Sequence, residues 1–352
     1  MVSPSRRRGA PRPGNGSLRR YATGVLPPSG EPVTLTRAEL TALVTGVGAT
    51  LRSFRSHGEP VVWEFEEDEI ATGGRGQVLA PWPNRLEDGS YRFGDVEGRA
   101  ALDEPERSNA IHGLVRWQAW TLERRSPSAA RWSYVVQAQP AFPFRVRLEI
   151  EYRLTDEGLV VECSAENTGA TALPFGLGFH PYLVAGAAGL DRVEIDLAAD
   201  THLICSDRGL PVGSEPVAGS AFDLRARSLA GVVLDDCFTD LTTGSDGRWR
   251  ASLAVRGEGD GDGEGARPGD RAGPVLWADG SFAYVMCYTG DTLESPADRR
   301  RAIAVEPMTC PPNALRTGES LVVLAPGERW AASWGIEPGT MPRGNRERLR
   351  EL

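Results

Sequence analysis

The sequence predicts an all-β protein, a large antiparallel sandwich or barrel with very little helix. Three observations carry this. Apolar and polar residues alternate with period two through the middle of the chain, most clearly from Phe144 to Leu154. No long stretch repeats with the 3.6-residue period of a helix. The chain holds 41 Gly and 26 Pro, enough to separate many short strands by turns.

In chain order, residues 1–30 are rich in Arg, Pro, Gly and Ser and are expected to form a disordered basic tail. From Glu31 the pattern is β, and no linker divides it, so 31–340 reads as one sandwich domain. Further strands are expected at Val61–Phe65, Tyr91–Phe93, Val193–Leu197, Trp249–Val255, Phe282–Tyr288, Ile303–Val305 and Leu321–Leu324. In Phe144–Leu154, apolar Phe144, Val146, Leu148, Ile150, Tyr152 and Leu154 alternate with Arg and Glu, giving one buried face and one wet face. Trp132–Ala138 alternates before it, and Leu159–Ala165 after a turn at Thr155–Gly158, which together read as a meander. Residues 257–274 form a Gly/Asp-rich insertion. Its alternating acids resemble a calcium loop, but the EF-hand spacing and closing Glu are missing, so it reads as a flexible hairpin. Residues 341–352 form a polar tail, with Arg346–Leu352 the helical candidate.

Lys plus Arg is 39 against 48 Asp plus Glu, a net charge of −9, which argues against a nucleic-acid or anionic-membrane surface. No run approaches the ~18 apolar residues of a membrane span. The basic N-terminus has no apolar core and is no secretory signal. Cys163, Cys205, Cys237, Cys287 and Cys310 are far apart and odd in number, as expected of reduced thiols in a cytoplasmic protein.

The candidate chemistry begins at PFGLGFHPYL, Pro174–Leu183. Gly176 and Gly178 allow close backbone approach, and Pro181 is expected to end ladder pairing just after His180. That places a fixed imidazole at a strand end, as proton transfer needs. A buried histidine satisfied by a carbonyl would give the same pattern. Glu306 follows the apolar run Ala302–Val305, and Pro307 is expected to stop that strand, leaving a partly desolvated carboxylate of raised pKa. His112 sits before Gly113, Asp235 follows an apolar run, and Arg85 lies between prolines and a turn. His57 and His202 look structural or solvated. No metal set, phosphate loop or nucleophile elbow is present, so what remains is a histidine–carboxylate acid–base site.

The segments PWPNRLEDGSYRFG, NAIHGL, GFHPYL, LDDCF and VEPMTCPPNAL, in this order, resemble the aldose 1-epimerases, or mutarotases. LAPGERWAASWGI looks like their last strands, and the resemblance covers roughly Val33 to Pro338. Each motif alone is weak; five in order are specific. The resemblance implies an antiparallel β-supersandwich that interconverts the α and β anomers of an aldose, without metal or cofactor. It implies Glu306 as general base, His180 as general acid and His112 as the second histidine near the ring oxygen. Arg85 and Asp235, with Asn84 and Trp82 nearby, would bind sugar hydroxyls. Asp236 is the alternative to Asp235, and many relatives have His at that position.

The implied mechanism wants His180 protonated first, which a carboxylate raising its pKa would help. Trp82, Phe179 and Tyr182 could stack on a pyranose or belong to the core. PWPNR and HGLVRW are similar to the sulfoquinovose-type branch, in which Arg116 would meet an anionic sugar; hexose 6-phosphates are the other anionic substrates of the family. A non-catalytic carbohydrate-binding module is the alternative from another class. The expected partner is a small sugar, with no nucleic acid or membrane, and the chain is expected to be a monomer or homodimer.

Overall fold

Strand pairing dominates the chain because its alternating sequence can bury one face only by stacking sheets. The structure is a computed structural model describing residues 26–184, 189–255 and 272–339. Residues 1–25 of the basic tail, most of the 257–274 insertion and the polar C-terminal tail with Arg346–Leu352 lie outside the described residues.

The nine-stranded sheet runs Thr121–Arg125, Ala129–Val136, Val146–Leu154, Leu159–Asn167, Arg329–Glu337, Ala272–Asp279, Arg248–Val255, Val193–Leu197, Arg227–Ser228. The expected meander is its first half. Trp132 pairs with Ile150 and Ile150 with Cys163, so the apolar positions of neighbouring strands share a face. The turn at 155–158 closes through Thr155 N–H to Gly158 O, 2.8 Å.

A second sheet faces it: Pro211–Pro216, Ala199–Cys205, Asp235–Leu241, Tyr284–Tyr288, Ile303–Met308, Gly178–Phe179 and Val78–Leu79, with Tyr182–Leu183 also pairing Ile303–Met308. A four-stranded sheet, Pro32–Arg37, Leu40–Thr45, Leu51–Ser56 and Glu59–Pro60, caps the sandwich. The three inward faces meet in one apolar core that includes Leu35, Trp132, Ile150, Phe238, Val285 and Val305. The one α-helix among the described residues is the single turn Ala314–Thr317.

The structure corrects several expected boundaries. Val61–Phe65 makes one bridge, Val62 to Leu183, and is not a strand. Arginine side chains take the carbonyls that a ladder would use: Arg75 donates to Glu64 O and Arg52 to Phe65 O. The strand Ile303–Met308 runs through Pro307, which pairs with Val285. The N–H groups of Val305 and Thr309 point to Pro181 O and Leu177 O. The missing donor at Pro307 therefore falls opposite the break between Gly178–Phe179 and Tyr182–Leu183, where no ladder bond is lost. The ladder is interrupted at His180–Pro181, as expected, but it resumes at once: the Pro181 carbonyl accepts from Val305, and Tyr182 pairs with Ala304.

Ile150→Ala should lower stability by about 2–5 kcal/mol, since its fully buried side chain cannot be replaced by collapse. Glu151→Ala, next in sequence but on the wet face beside Arg131, should cost less than about 1 kcal/mol. Urea unfolding of both variants checks the face assignment.

Candidate active site

In the second sheet, side chains of one parity enter the core and those of the other parity meet on the opposite face. Val305 and Val285 go inward, and Ala304, Glu306, Met308, Met286 and Tyr288 face away. Glu306 is therefore set on an inner strand, opposite Met286, with 2 % exposure.

The break between Gly178–Phe179 and Tyr182–Leu183 delivers His180 to the same place. Its main chain turns away from Ile303–Met308 and bonds to another segment, with His180 N–H to Gln77 O at 3.1 Å and Gly76 N–H to His180 O at 2.9 Å. Gly178 is needed because a Cβ there would lie 2.8 Å from Pro83. The result is His180 Nε2 at 3.2 Å from Glu306 Oε1, both side chains buried. His180 Nδ1 and Glu306 Oε2 have no hydrogen-bond partner.

His112 arrives through the pairing of Arg85–Glu87 with Asn109–Ile111. His112 N–H donates to Asn84 O (2.8 Å), and Asn84 N–H donates to His112 Nδ1 (3.2 Å). Because Nδ1 accepts, the neutral ring carries its proton on Nε2. Its ring centroid is 5.4 Å from that of His180.

Arg85 is buried between two acids. Its Nε donates to Glu104 (3.0 and 3.2 Å), and Asp235 Oδ2 lies 3.4 Å from the far nitrogen. Burial works against the cation, but Asp235 and Glu104 outweigh it and hold its pKa above the ordinary value. Asp235 shares a face with Cys237, toward Glu306, whereas Asp236 shares a face with Phe238. Asp236 bonds His202 Nε2 at 3.0 Å, and Glu215 lies 3.0 Å from His202 Nδ1. Strand alternation thus turns Asp235 toward the site and Asp236 away. His202 is buried and structural, and His57 stays exposed in its turn.

Other expected contacts are differently employed. Trp82 is 2 % exposed within the apolar core, and Phe179 packs on Trp334 and Phe282, so neither offers a free ring face. Tyr182 stacks on His180 at 5.0 Å. The Asn84 side-chain carbonyl accepts Arg85 N–H at 2.9 Å. Arg116 pairs with Asp103 at 2.5 Å on the rim, yet its charge reaches both His112 and His180. Sequence reasoning missed Glu104 and Asp103, ordinary loop acids before the strand pairing places them, and the buried Arg75. No group of His, Cys, Asp and Glu among the described residues could hold a metal. All five cysteines are free.

The expectation that a carboxylate raises His180's pKa is corrected by burial. Desolvation pushes His180 down to about 3. Desolvation, then Asp235, pushes Glu306 well above the usual carboxylate range, with Arg85 pulling the other way. His112 is also pushed well down by burial and by the cations around it. Both shifts favour the uncharged form of each group, so the pair is held as one neutral unit with a single proton. Carboxylic acid with imidazole, and carboxylate with imidazolium, are two tautomers of that one state.

The sequence model of the family described as Aldose 1-epimerase matches residues 31–337. The chain is 28 % identical over 304 residues to the uncharacterized protein YihR of Escherichia coli K12, covering 85 % of this chain and 91 % of that one. Among solved structures it is similar in fold to an aldose epimerase homologue of C. elegans, with TM-score 0.73 and 18 % identity over 88 % of this chain and 99 % of that one. A galactose 1-epimerase from Lactobacillus acidophilus is similar too, at TM-score 0.69 and 19 % identity over 88 % and 95 %.

The shared proton sets a pH signature for stability. Unfolded, Glu and His titrate near 4.5 and 6.5, so between these values the unfolded pair also carries one proton and folding is insensitive to pH. Below 4.5 the unfolded pair takes a second proton that depressed His180 refuses, so stability falls as pH falls. Above 6.5 the unfolded pair loses the proton that raised Glu306 keeps, so stability falls as pH rises. Thermal melts across pH should show wild type gaining most over the Glu306→Gln/His180→Asn double variant between those two pH values.

Proposed function

Because the chain belongs to the aldose 1-epimerase family, we propose that it is a mutarotase, interconverting the α and β anomers of an aldohexose. The observation that carries this reading is the buried contact of His180 Nε2 with Glu306 Oε1 at 3.2 Å. The two oxygens on an anomeric carbon are geminal, so the acid and the base must be neighbours.

In the ionic tautomer, Glu306 takes the proton of the C1 hydroxyl. The C1–O1 bond becomes a carbonyl, the C1–ring-oxygen bond breaks, and its electron pair takes the proton of His180 Nε2. The products are the open aldehyde, protonated Glu306 and neutral His180. Rotation about C1–C2 and the reverse transfers close the ring on the other face. Ring opening thus converts the ionic tautomer into the neutral one, which burial favours. The apolar setting therefore stabilises the open-chain stage instead of opposing it.

His112 Nε2–H is the neutral donor beside the ring oxygen, and Arg85 with Asp235 orients hydroxyls. No group other than side chains takes part. The free thiols fit a cytoplasmic protein; no helix among the described residues is long and apolar enough to cross a membrane.

A second reading, an anionic sugar such as sulfoquinovose or a hexose 6-phosphate, is favoured by one observation. The charge of Arg116 reaches both histidines. Asp103 already balances that charge, which favours the neutral sugar. A carbohydrate-binding module would have no need of an acid and a base in contact.

Polarimetry or proton NMR on freshly dissolved α-D-glucose and α-D-galactose should show faster equilibration with the protein. Glu306→Gln and His180→Asn should each lose roughly 10²–10⁴ in rate while sugar binding persists. Binding without any rate effect in wild type would mean a module. Turnover confined to sulfoquinovose or glucose 6-phosphate, and lost in Arg116→Ala, would establish the anionic reading. Wild-type rate against pH should form a broad plateau, because the depressed His180 and raised Glu306 move its two limbs apart.

A further inference from the structure

The segment that holds His180 is itself held by a buried cation that the proton transfers do not use. Arg75 is 6 % exposed, and burial pushes its pKa below the ordinary arginine value. Among the described residues no carboxylate forms an ion pair with it. Its guanidinium lies 4.2 Å from the Trp63 ring centroid and 5.6 Å from that of Phe65. Its nitrogens donate to Thr72 O (3.2 Å), Thr72 Oγ1 (2.6 Å) and Glu64 O (3.1 Å). A buried charge without a counter-ion is costly unless hydrogen bonds and ring faces compensate. Here two of its three hydrogen bonds tie down one turn, Thr72–Gly74.

That turn is the wall behind His180. Gly73 O accepts the Tyr182 hydroxyl at 2.8 Å, and the Tyr182 ring is stacked on His180 with a 19° interplanar angle. Gly74, at φ +76°, lies so close to the imidazole that a Cβ would be 2.4 Å from its Cδ2. Gly76 and Gln77, next along, take both main-chain hydrogen bonds of His180. Ring plane and backbone of His180 are thus set by one segment, and Arg75 clamps its start.

We infer that Arg75 is a positioning residue for His180: by fixing the Thr72–Gly74 turn it sets the imidazole plane and the 3.2 Å path to Glu306. The kinetic consequence rests on the mutarotase reading; the structural one does not. A planar fork of donors is required, because a lysine ammonium cannot reach Thr72 twice and Glu64 once in this geometry.

The test uses Arg75→Ala, Arg75→Lys and Thr72→Val in the full chain, with melting curves, mutarotation kinetics and ¹⁵N-histidine ring spectra. In Arg75→Ala and Arg75→Lys, kcat should fall by at least about tenfold while KM stays within about twofold. Guanidinium in the buffer should restore part of the Arg75→Ala rate. The His180 ring resonances should move in all three variants, and Thr72→Val, which removes one acceptor, should give a smaller loss of kcat in the same direction. A folded Arg75 variant that keeps its kcat within about twofold, or leaves the His180 resonances in place, would overturn the assignment. So would a rate loss that only tracks the loss of folded protein. If Arg75→Ala does not fold, Thr72→Val decides by the same two readouts. If wild type accelerates no sugar, the mutarotase reading fails by itself and the ring spectra still decide the role of Arg75.

Discussion

The contact on which the site depends is the one between His180 Nε2 and Glu306 Oε1. Two titratable groups taken this far from water cannot both be charged independently, and neither is cheap to charge alone. Sharing one proton removes the difficulty, because the pair is neutral overall in either tautomer. The surrounding architecture follows from holding these two atoms together: Glu306 needs an inner strand, His180 needs a strand that breaks, and the break needs a neighbour that supplies no donor.

The charged groups around the pair are held in sets. Arg85 is held by Glu104 and Asp235, Arg116 by Asp103, and His202 lies between Asp236 and Glu215. The first two sets lie beside the pair and fix the position of Arg85, Asp235 and Arg116, whereas the His202 set lies on the opposite face of its strand and holds that strand in place. Arg75 is the exception, and aromatic faces with backbone carbonyls take the place of the missing acid.

Much of this was legible in the chain. Period-two alternation in Val146–Leu154 is a local property of a half-buried strand, and its burial follows the sequence position by position. His180, Glu306, His112, Arg85 and Asp235 were findable because each ends or interrupts an apolar or Gly/Pro-bounded run, and the fold brings them to one face. Glu104 and Asp103 were not, since nothing in a charged loop tells which arginine it will meet once distant strands pair. Pro307 misled for a related reason: the rule that proline stops a strand assumes a neighbour waiting for its N–H, and here the neighbour breaks at that point. For the pKa of His180, the sequence reveals the presence of a carboxylate but not the depth of burial that outweighs it.

The alternation at Asp235 and Asp236 has an evolutionary side. The two residues are chemically identical, and only their parity in the strand Asp235–Leu241 separates a carboxylate facing Arg85 and Glu306 from one bonded to His202. Point substitutions change one function at a time here. A single inserted or deleted residue within the strand would instead exchange the two roles and carry Cys237 and Phe238 to the wrong faces as well. Register thus constrains the length of this strand more tightly than any single side chain does, and the turns at either end are where a change of length would do least harm.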